Sequence, residues 1–323
     1  MILTVTINPL LENRIEVDSF QLGNVSRGNK KYFKAGGKGI NVSRQLDNLQ
    51  IQNSAILFLG GNNGKQLRKV LIDENINFTS ISCKGETRAA TLAIEKSKNR
   101  ITSVFEPTAP LSTNEINEFK TKLIKMIQNS KIVIFSGSVP NKEAASIITY
   151  GIELANELDK TTILDTYGEH LQDCINANPT IIHNNVHELE NSLGIQLRNE
   201  KQKVAFLKKL YEQGIKLAFI TNGAQLTYAS KFDFIYKIKP IKITEIDATG
   251  SGDAFVSGIA YGLIKALVFD VFVKIASALG IVNASRWDVC TTKLSETENI
   301  VDLISVKPVG KKMKLIDDSP TYR

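Results

Sequence analysis

The chain has 323 residues, 42% of them hydrophobic and 23% charged, with a formal charge of +7. That length accommodates one large α/β domain or two modest ones with a sizeable core. No apolar run approaches the roughly 20 residues that span a bilayer, and the basic residues are spread out rather than set among aromatics, so neither a membrane span nor nucleic-acid binding is expected.

The N-terminal stretch MILTVTINPLLENR has no basic segment and no small-residue cleavage site, so it does not read as a signal peptide. Short, almost continuously apolar runs predict strands at 2–7, 55–59, 132–136, 161–165, 180–183 and 217–221. Apolar residues at three- and four-residue steps predict helices at 39–49, 64–74, 113–128, 141–157, 199–213, 253–267 and 269–285. This alternation points to a mostly parallel sheet flanked by helices. Two segments break the rhythm, about 13–34 and 87–106. Their polar alternation, with a hairpin turn at SKNR (97–100), predicts a small, half-exposed antiparallel sheet lying as a lid on the main one. No linker or repeat interrupts the chain, so a single domain over 1–323 is expected. The densest basic run is KPVGKKMK at 307–314. Cys83, Cys174 and Cys290 are scattered and form no CxxC pair, which argues against a zinc or disulfide framework and fits a reducing cytoplasm.

Open α/β sheets bind ligands beyond the carboxyl ends of their strands, so the chemistry is sought in the loops that follow them. In DATGSGDAF (247–255) the glycines Gly250 and Gly252 bracket Ser251, and Asp253 stands at the mouth of a helix. The first N–H groups of a helix lack partners and carry a positive dipole, so such a turn binds anions; the rival reading is a plain helix cap. AGGKGINVSR (35–44) is a second turn of this kind, with Gly37, Lys38 and Asn41, against the rival of a simple helix-opening loop. FLGGNNGK (58–65) lacks the P-loop spacing and its Ser/Thr, and reads as a structural turn. In HNNVHELE (183–190) the pair His183 and His187 lacks the glutamate of HExxH. Asn185 and Glu188 fit either a capping box or an amide and a carboxylate facing a metal–phosphate group. Asn8, Glu12 and Arg14 follow the first strand, and GETR (85–88) and SGS (136–138) are rich in donors. Arg27 and Arg88 have the guanidinium chemistry that grips a phosphate.

Taken in order, AGGKGINVSR, N185-V-H-E188 and DATGSGDAFVSG resemble the signatures of the PfkB, or ribokinase-like, family of sugar kinases. ILTVTINP, GETR, SGSVP and SALGIVNAS (277–285) are similar to its phosphosugar branch, and the resemblance spans residues 1 to about 305. It implies an α/β fold, a ribokinase-like three-layer α/β/α sandwich with a small β-sheet lid. It also implies transfer of the γ-phosphate of ATP, with Mg²⁺, to a hydroxyl of a ketohexose monophosphate such as tagatose 6-phosphate or fructose 1-phosphate. By the same resemblance Asp253 is the general base, and the turn 250–253, with Gly250 and Gly252, holds the developing charge. The helix N-terminus is expected to lower the Asp253 pKa. Arg27, Lys38 and Arg88 would meet the phosphate already on the sugar, and Glu12, Gly37, Asn41 and Ser138 its remaining groups. Asn185, Thr221, Gly223, Ser251 and Asn283 would lie along the nucleotide, and Glu188 would organise Mg²⁺ through water.

Three departures from the family pattern stand out: Glu12 in place of Asp, His183-Asn184 in place of Lys-Pro, and Phe105 in the lid. They leave two other readings open, a PfkB kinase for an unphosphorylated sugar or nucleoside and a non-catalytic sensor. An exposed lid favours a homodimer in which two lids pair.

Overall fold

The computed structural model describes residues 1–310, so positions 311–314 of the basic run lie outside the described residues. In chain order the first half comprises β1 (Ile2–Thr6), β2 (Leu10–Val17), β3 (Gly28–Gly36), α1 (Lys38–Asn48), β4 (Asn53–Gly60), α2 (Gly61–Asp73), β5 (Phe78–Cys83), β6 (Ala89–Glu95), β7 (Arg100–Phe105), α3 (Thr113–Gln128), β8 (Ile132–Ser136), α4 (Ser146–Glu157) and β9 (Thr161–Asp165). The second half comprises α5 (Leu171–Asn176), β10 (Ile181–Asn185), α6 (Val186–Leu193), α7 (Glu200–Glu212), β11 (Leu217–Thr221), β12 (Thr227–Lys231), β13 (Phe234–Lys239), α8 (Ser251–Ile264), α9 (Phe269–Ala284), α10 (Glu298–Val301) and β14 (Ser305–Val309).

Ten strands form one sheet in the order β14-β13-β12-β11-β10-β9-β8-β1-β4-β5. From β11 to β5 every neighbouring pair is parallel, and β12, β13 and β14 add an antiparallel edge. Side chains alternate across a strand, so each apolar strand feeds two cores. Leu3, Val5, Val133, Phe135, Leu164 and Ile182 pack on one face with α3, α4 and α7. Ile2, Ile132, Ile134, Ile163, Ile181 and Phe219 pack on the other, against α1, α8 and α9. Continuous hydrophobicity was therefore a sound sign of strands covered on both sides. The α8–α9 contact is close because Gly258 abuts Ala276, where any side chain would overlap the neighbouring helix.

The strands missed in the sequence are β5, β12, β13 and β14. Each is polar or only partly buried, so none carries the apolar run that marks the central strands. The two irregular segments form the separate four-stranded sheet β3-β2-β6-β7. It is not purely antiparallel as expected, since β2 and β6 run parallel. SKNR opens as a short 3₁₀ turn and closes on Asn99 in the left-handed region, at φ 46°. β7 and the first residues of β3 are largely exposed, whereas β3 ends buried at Ala35 and Gly36. Among the described residues no helix is long and apolar enough to cross a membrane.

Candidate active site

The parallel strands deliver their last residues to one end of the sheet. Ser136 pairs in register with Asp165, and Asn185 with Thr221. Two helices begin over the same end. α1 starts after Gly37 at φ 112° and α8 after Gly250 at φ 77°, and neither helix has a side-chain cap. These backbone angles suit glycine and almost nothing else. Apart from Ser251, whose N–H donates to Ala248 O at 3.1 Å, the leading N–H groups of both helices are thus left to a ligand.

Asp253 sits in the first turn of α8 and is only 4% exposed. Its Oδ2 accepts a hydrogen bond from Asn41 Nδ2 at 2.8 Å. Burial pushes its carboxyl up to about 7. The Lys38 charge opposes this, Asp165 reinforces it, the Asn41 bond opposes it and Glu188 reinforces it. The sequence-based expectation of a lowered pKa is corrected: loss of water outweighs the helix dipole, because the carboxylate is fully enclosed with two other acids nearby.

Lys38, expected to meet the sugar phosphate, has two acids as its partners. Its ammonium donates to Asp165 Oδ1 at 3.1 Å and to Glu188 Oε1 at 2.6 Å, and lies 5.2 Å from the centre of the Tyr167 ring. Burial alone would lower its pKa, but Asp165, Glu188 and Asp253 together raise it. Asp165 is wholly buried at the end of β9. It also accepts from Ser136 Oγ at 2.7 Å and lies 3.0 Å from His183 Nδ1. Burial would raise the Asp165 pKa, yet Lys38, His183 and Ser136 bring it below the ordinary value. Sequence reading passed over Asp165, although an acid closing the apolar run TTILD at a strand end is a legible signal.

Asn185 and Glu188 do form a capping box at α6. Asn185 Oδ1 accepts from the Glu188 N–H at 2.8 Å, and Glu188 Oε2 from the Asn185 N–H at 3.1 Å. The Asn185 oxygen is therefore engaged, while Glu188 faces both the cap and Lys38. His183 Nε2 lies 3.3 Å from Thr221 Oγ1, and His187 is turned away to Asn191, so the two histidines do not converge. Asn283 is 1% exposed and fully engaged. Its Nδ2 donates to Thr249 O at 2.8 Å and Ser251 Oγ at 3.1 Å, and its Oδ1 accepts from the Cys290 N–H at 2.7 Å. It braces the glycine turn from within. Gly223 is exposed, at φ 53°, with open space around it.

On the lid side, Glu12 is 7% exposed and receives the Arg14 Nε–H at 2.8 Å. This ion pair fixes Oε2 of Glu12, the residue expected to contact sugar hydroxyls. Asn8 Nδ2 donates to Ser138 Oγ at 3.1 Å, and Arg88 Nη2 donates to Asn8 O at 3.1 Å. The Arg88 guanidinium lies 6.0 Å from the centre of the Phe105 ring, which accounts for the aromatic in the lid. Arg88 has no carboxylate within salt-bridge distance among the described residues, its Nε is buried without a partner, and burial lowers its pKa. Arg27 stands exposed in the loop before β3, joined to none of these groups.

The donor set suits a hard divalent cation. Three carboxylates, Asp165, Glu188 and Asp253, face the single ammonium of Lys38, and Asn184 Oδ1 is buried without a partner beside them. Among the described residues no three His, Cys, Asp or Glu side chains form a direct metal cage. Such a cation would therefore be held through water, as Mg²⁺ commonly is.

A buried acid at a glycine-opened helix, at the carboxyl end of a parallel sheet and with the small sheet running through β3 into α1, defines a group-transfer site. The profile of the pfkB family carbohydrate kinases matches residues 10–295, and the chain belongs to that family. It is 30% identical over 312 residues to a tagatose-6-phosphate kinase of Staphylococcus epidermidis, covering 95% of this chain and all of that one. It is 30% identical over 293 residues to a 1-phosphofructokinase of Borreliella burgdorferi, covering 90% and 94%. A solved structure described as a possible 1-phosphofructokinase of Thermotoga maritima superposes with a TM-score of 0.88 at 24% identity, over 96% of this chain and 99% of that one.

Proposed function

We propose that this chain is an ATP-dependent phosphosugar kinase that phosphorylates a hydroxyl of a ketohexose monophosphate to give a bisphosphate. One observation carries the choice of a phosphorylated acceptor: Arg88 is a half-buried guanidinium with no acid beside it. An unpaired buried cation is costly, and a phosphate dianion is the partner it fits. The similarity to relatives named for tagatose 6-phosphate and fructose 1-phosphate supports the same class of sugar.

Asp253 takes the proton from the attacking hydroxyl, with a pKa close to the operating pH, where a general base works best. The N–H groups that open α8 hold the charge that grows on the transferred phosphoryl group. Lys38 keeps Asp165 and Glu188 neutralised at the floor of the site. Glu188, through water, would hold Mg²⁺, which supplies further neutralisation of the nucleotide phosphates when bound. Glu12, clamped by Arg14, shapes the sugar side of the pocket. The same proposal covers the whole chain as one kinase unit, a cytoplasmic setting consistent with three free cysteines, and a homodimer through the lid. The exposed apolar side chains Leu22, Val25, Val104 and Phe105 on the lid support that pairing.

The test is ATP consumption with Mg²⁺ on tagatose 6-phosphate, fructose 1-phosphate, fructose 6-phosphate, fructose and adenosine. Turnover on a ketose phosphate, lost in Asp253→Asn, is the expected result. Turnover confined to fructose or adenosine would refute the role given to Arg88.

A further inference from the structure

A buried polar chain runs behind the base to the far end of α2. Asn41, on α1, donates to Asp253 Oδ2 at 2.8 Å. Its own Oδ1 accepts from Arg44 Nη1, also at 2.8 Å. Arg44, one turn further along α1, donates to Glu74 Oε2 from Nε at 2.9 Å and from Nη2 at 2.6 Å. Arg44 Nη2 further donates to the Ala35 carbonyl, and Glu74 Oε1 accepts the Ala35 N–H at 3.2 Å. Arg44 and Asn41 are 8% and 6% exposed.

Hydrogen-bonding capacity gives this chain a direction. A guanidinium has donors only, so the Asn41 oxygen must face Arg44 and the Asn41 NH₂ must face Asp253. Without Arg44 the amide is free to rotate by half a turn, and its oxygen would then oppose the carboxylate. With the amide fixed, Oδ2 of Asp253 is occupied as an acceptor and Oδ1 is left for the substrate's proton. Glu74 in turn fixes the Arg44 fork and offsets its buried charge. Among the described residues the side chains of Arg44 and Glu74 bond only to Asn41, to Ala35 and to each other.

We infer that Arg44 and Glu74 are positioning residues for the transfer step, acting through Asn41 to hold the Asp253 carboxylate in its proton-accepting orientation. This rests on the reading of Asp253 as the base. A purely structural role, pinning Ala35 and the glycine turn, is the competing account, and the two separate cleanly.

The experiment is a double-mutant cycle in steady-state kinetics on the preferred ketose phosphate, using Arg44→Gln, Glu74→Gln, Asp253→Asn and the paired variants. Arg44→Gln should lower kcat by roughly 10–100-fold, the scale of a misplaced catalytic group, with KM for both substrates within about twofold. In the Asp253→Asn background the Arg44→Gln loss should vanish, because residues acting as one unit are not additive. Glu74→Gln, nearly isosteric, should show the same pattern at smaller amplitude, and it decides the matter if Arg44→Gln does not fold. An equal loss in both backgrounds, or a raised KM at unchanged kcat, overturns the inference in favour of a structural role. Wild-type turnover by Asp253→Asn alone would instead overturn the functional reading on which it rests.

Discussion

The central sheet and the lid contribute to the same site under different physical rules. β1, β4 and β8 are buried at every position, whereas β7 and the first residues of β3 are largely exposed. The buried acids of the site arrive with partners: Asp165, closing β9, has Ser136, His183 and Lys38, and Asp253, opening α8, has Asn41. The lid side instead presents Arg88 without an acid, beside an aromatic ring. Chemistry that must be aligned before the substrate arrives is set in the close-packed layer, where side chains cannot drift. A group that must capture a charged ligand is left unpaired at the edge, where the ligand itself completes it.

That contrast can be broken most directly at the base. Asp253→Asn should lower kcat by roughly 10²–10⁴-fold with little change in KM, the contribution expected of a placed base. Phe135→Ala, at a fully buried position of β8, should destabilise by about 3–5 kcal/mol in denaturant titration. A loss under about 1 kcal/mol would mean that the central layer is not the rigid partner supposed here.

Removing the unpaired lid cation should act on capture alone. Arg88→Gln should raise KM for the sugar phosphate on the order of 10–100-fold, as expected from loss of a charge-assisted contact of about 1.5–3 kcal/mol. KM for ATP should stay unchanged, as should the melting temperature, because no ion pair within the chain is broken. A matching rise in KM for ATP would move Arg88 out of the sugar pocket.

The pH profile sharpens the same division. Burial holds the Asp253 pKa at about 7, so the carboxylate is protonated, and unable to accept, below that value. kcat/KM should therefore be flat above about pH 7 and fall about tenfold per pH unit below it. A rate that holds to about pH 4, the ordinary carboxylate range, would show that water reaches the base. The smallest effect is expected at the exposed Ser103 in β7, where Ser103→Thr should change stability by no more than about 0.5 kcal/mol in denaturant titration.

Much of the site was legible as motif. The glycine turns before α1 and α8, the acid after the second turn and the donors after β1 all lie at one end of the sheet, as strand-end reasoning anticipates. What the motifs did not reveal is what each side chain does there. Lys38 reads as a free cation in sequence, yet it is held by Asp165 and Glu188. Asn283 reads as a residue beside the nucleotide, and the motif gives no hint that its side chain braces the glycine turn. Arg44 closes the motif AGGKGINVSR and Glu74 belongs to none, and neither reveals its role, because that role lies in contacts across 30 positions of chain.

The sequence alone determined the layers and the place of the chemistry. Apolar runs, helical spacing and glycines at positive φ are local properties, set by burial and backbone sterics within a few residues. The tertiary structure decided the charge states and partnerships. The Asp253 pKa, the pairing of Lys38, the clamp of Arg14 on Glu12 and the unpaired Arg88 depend on which charges lie nearby and how much water is excluded. Those are properties of the packed interior, and residues distant in sequence jointly set them.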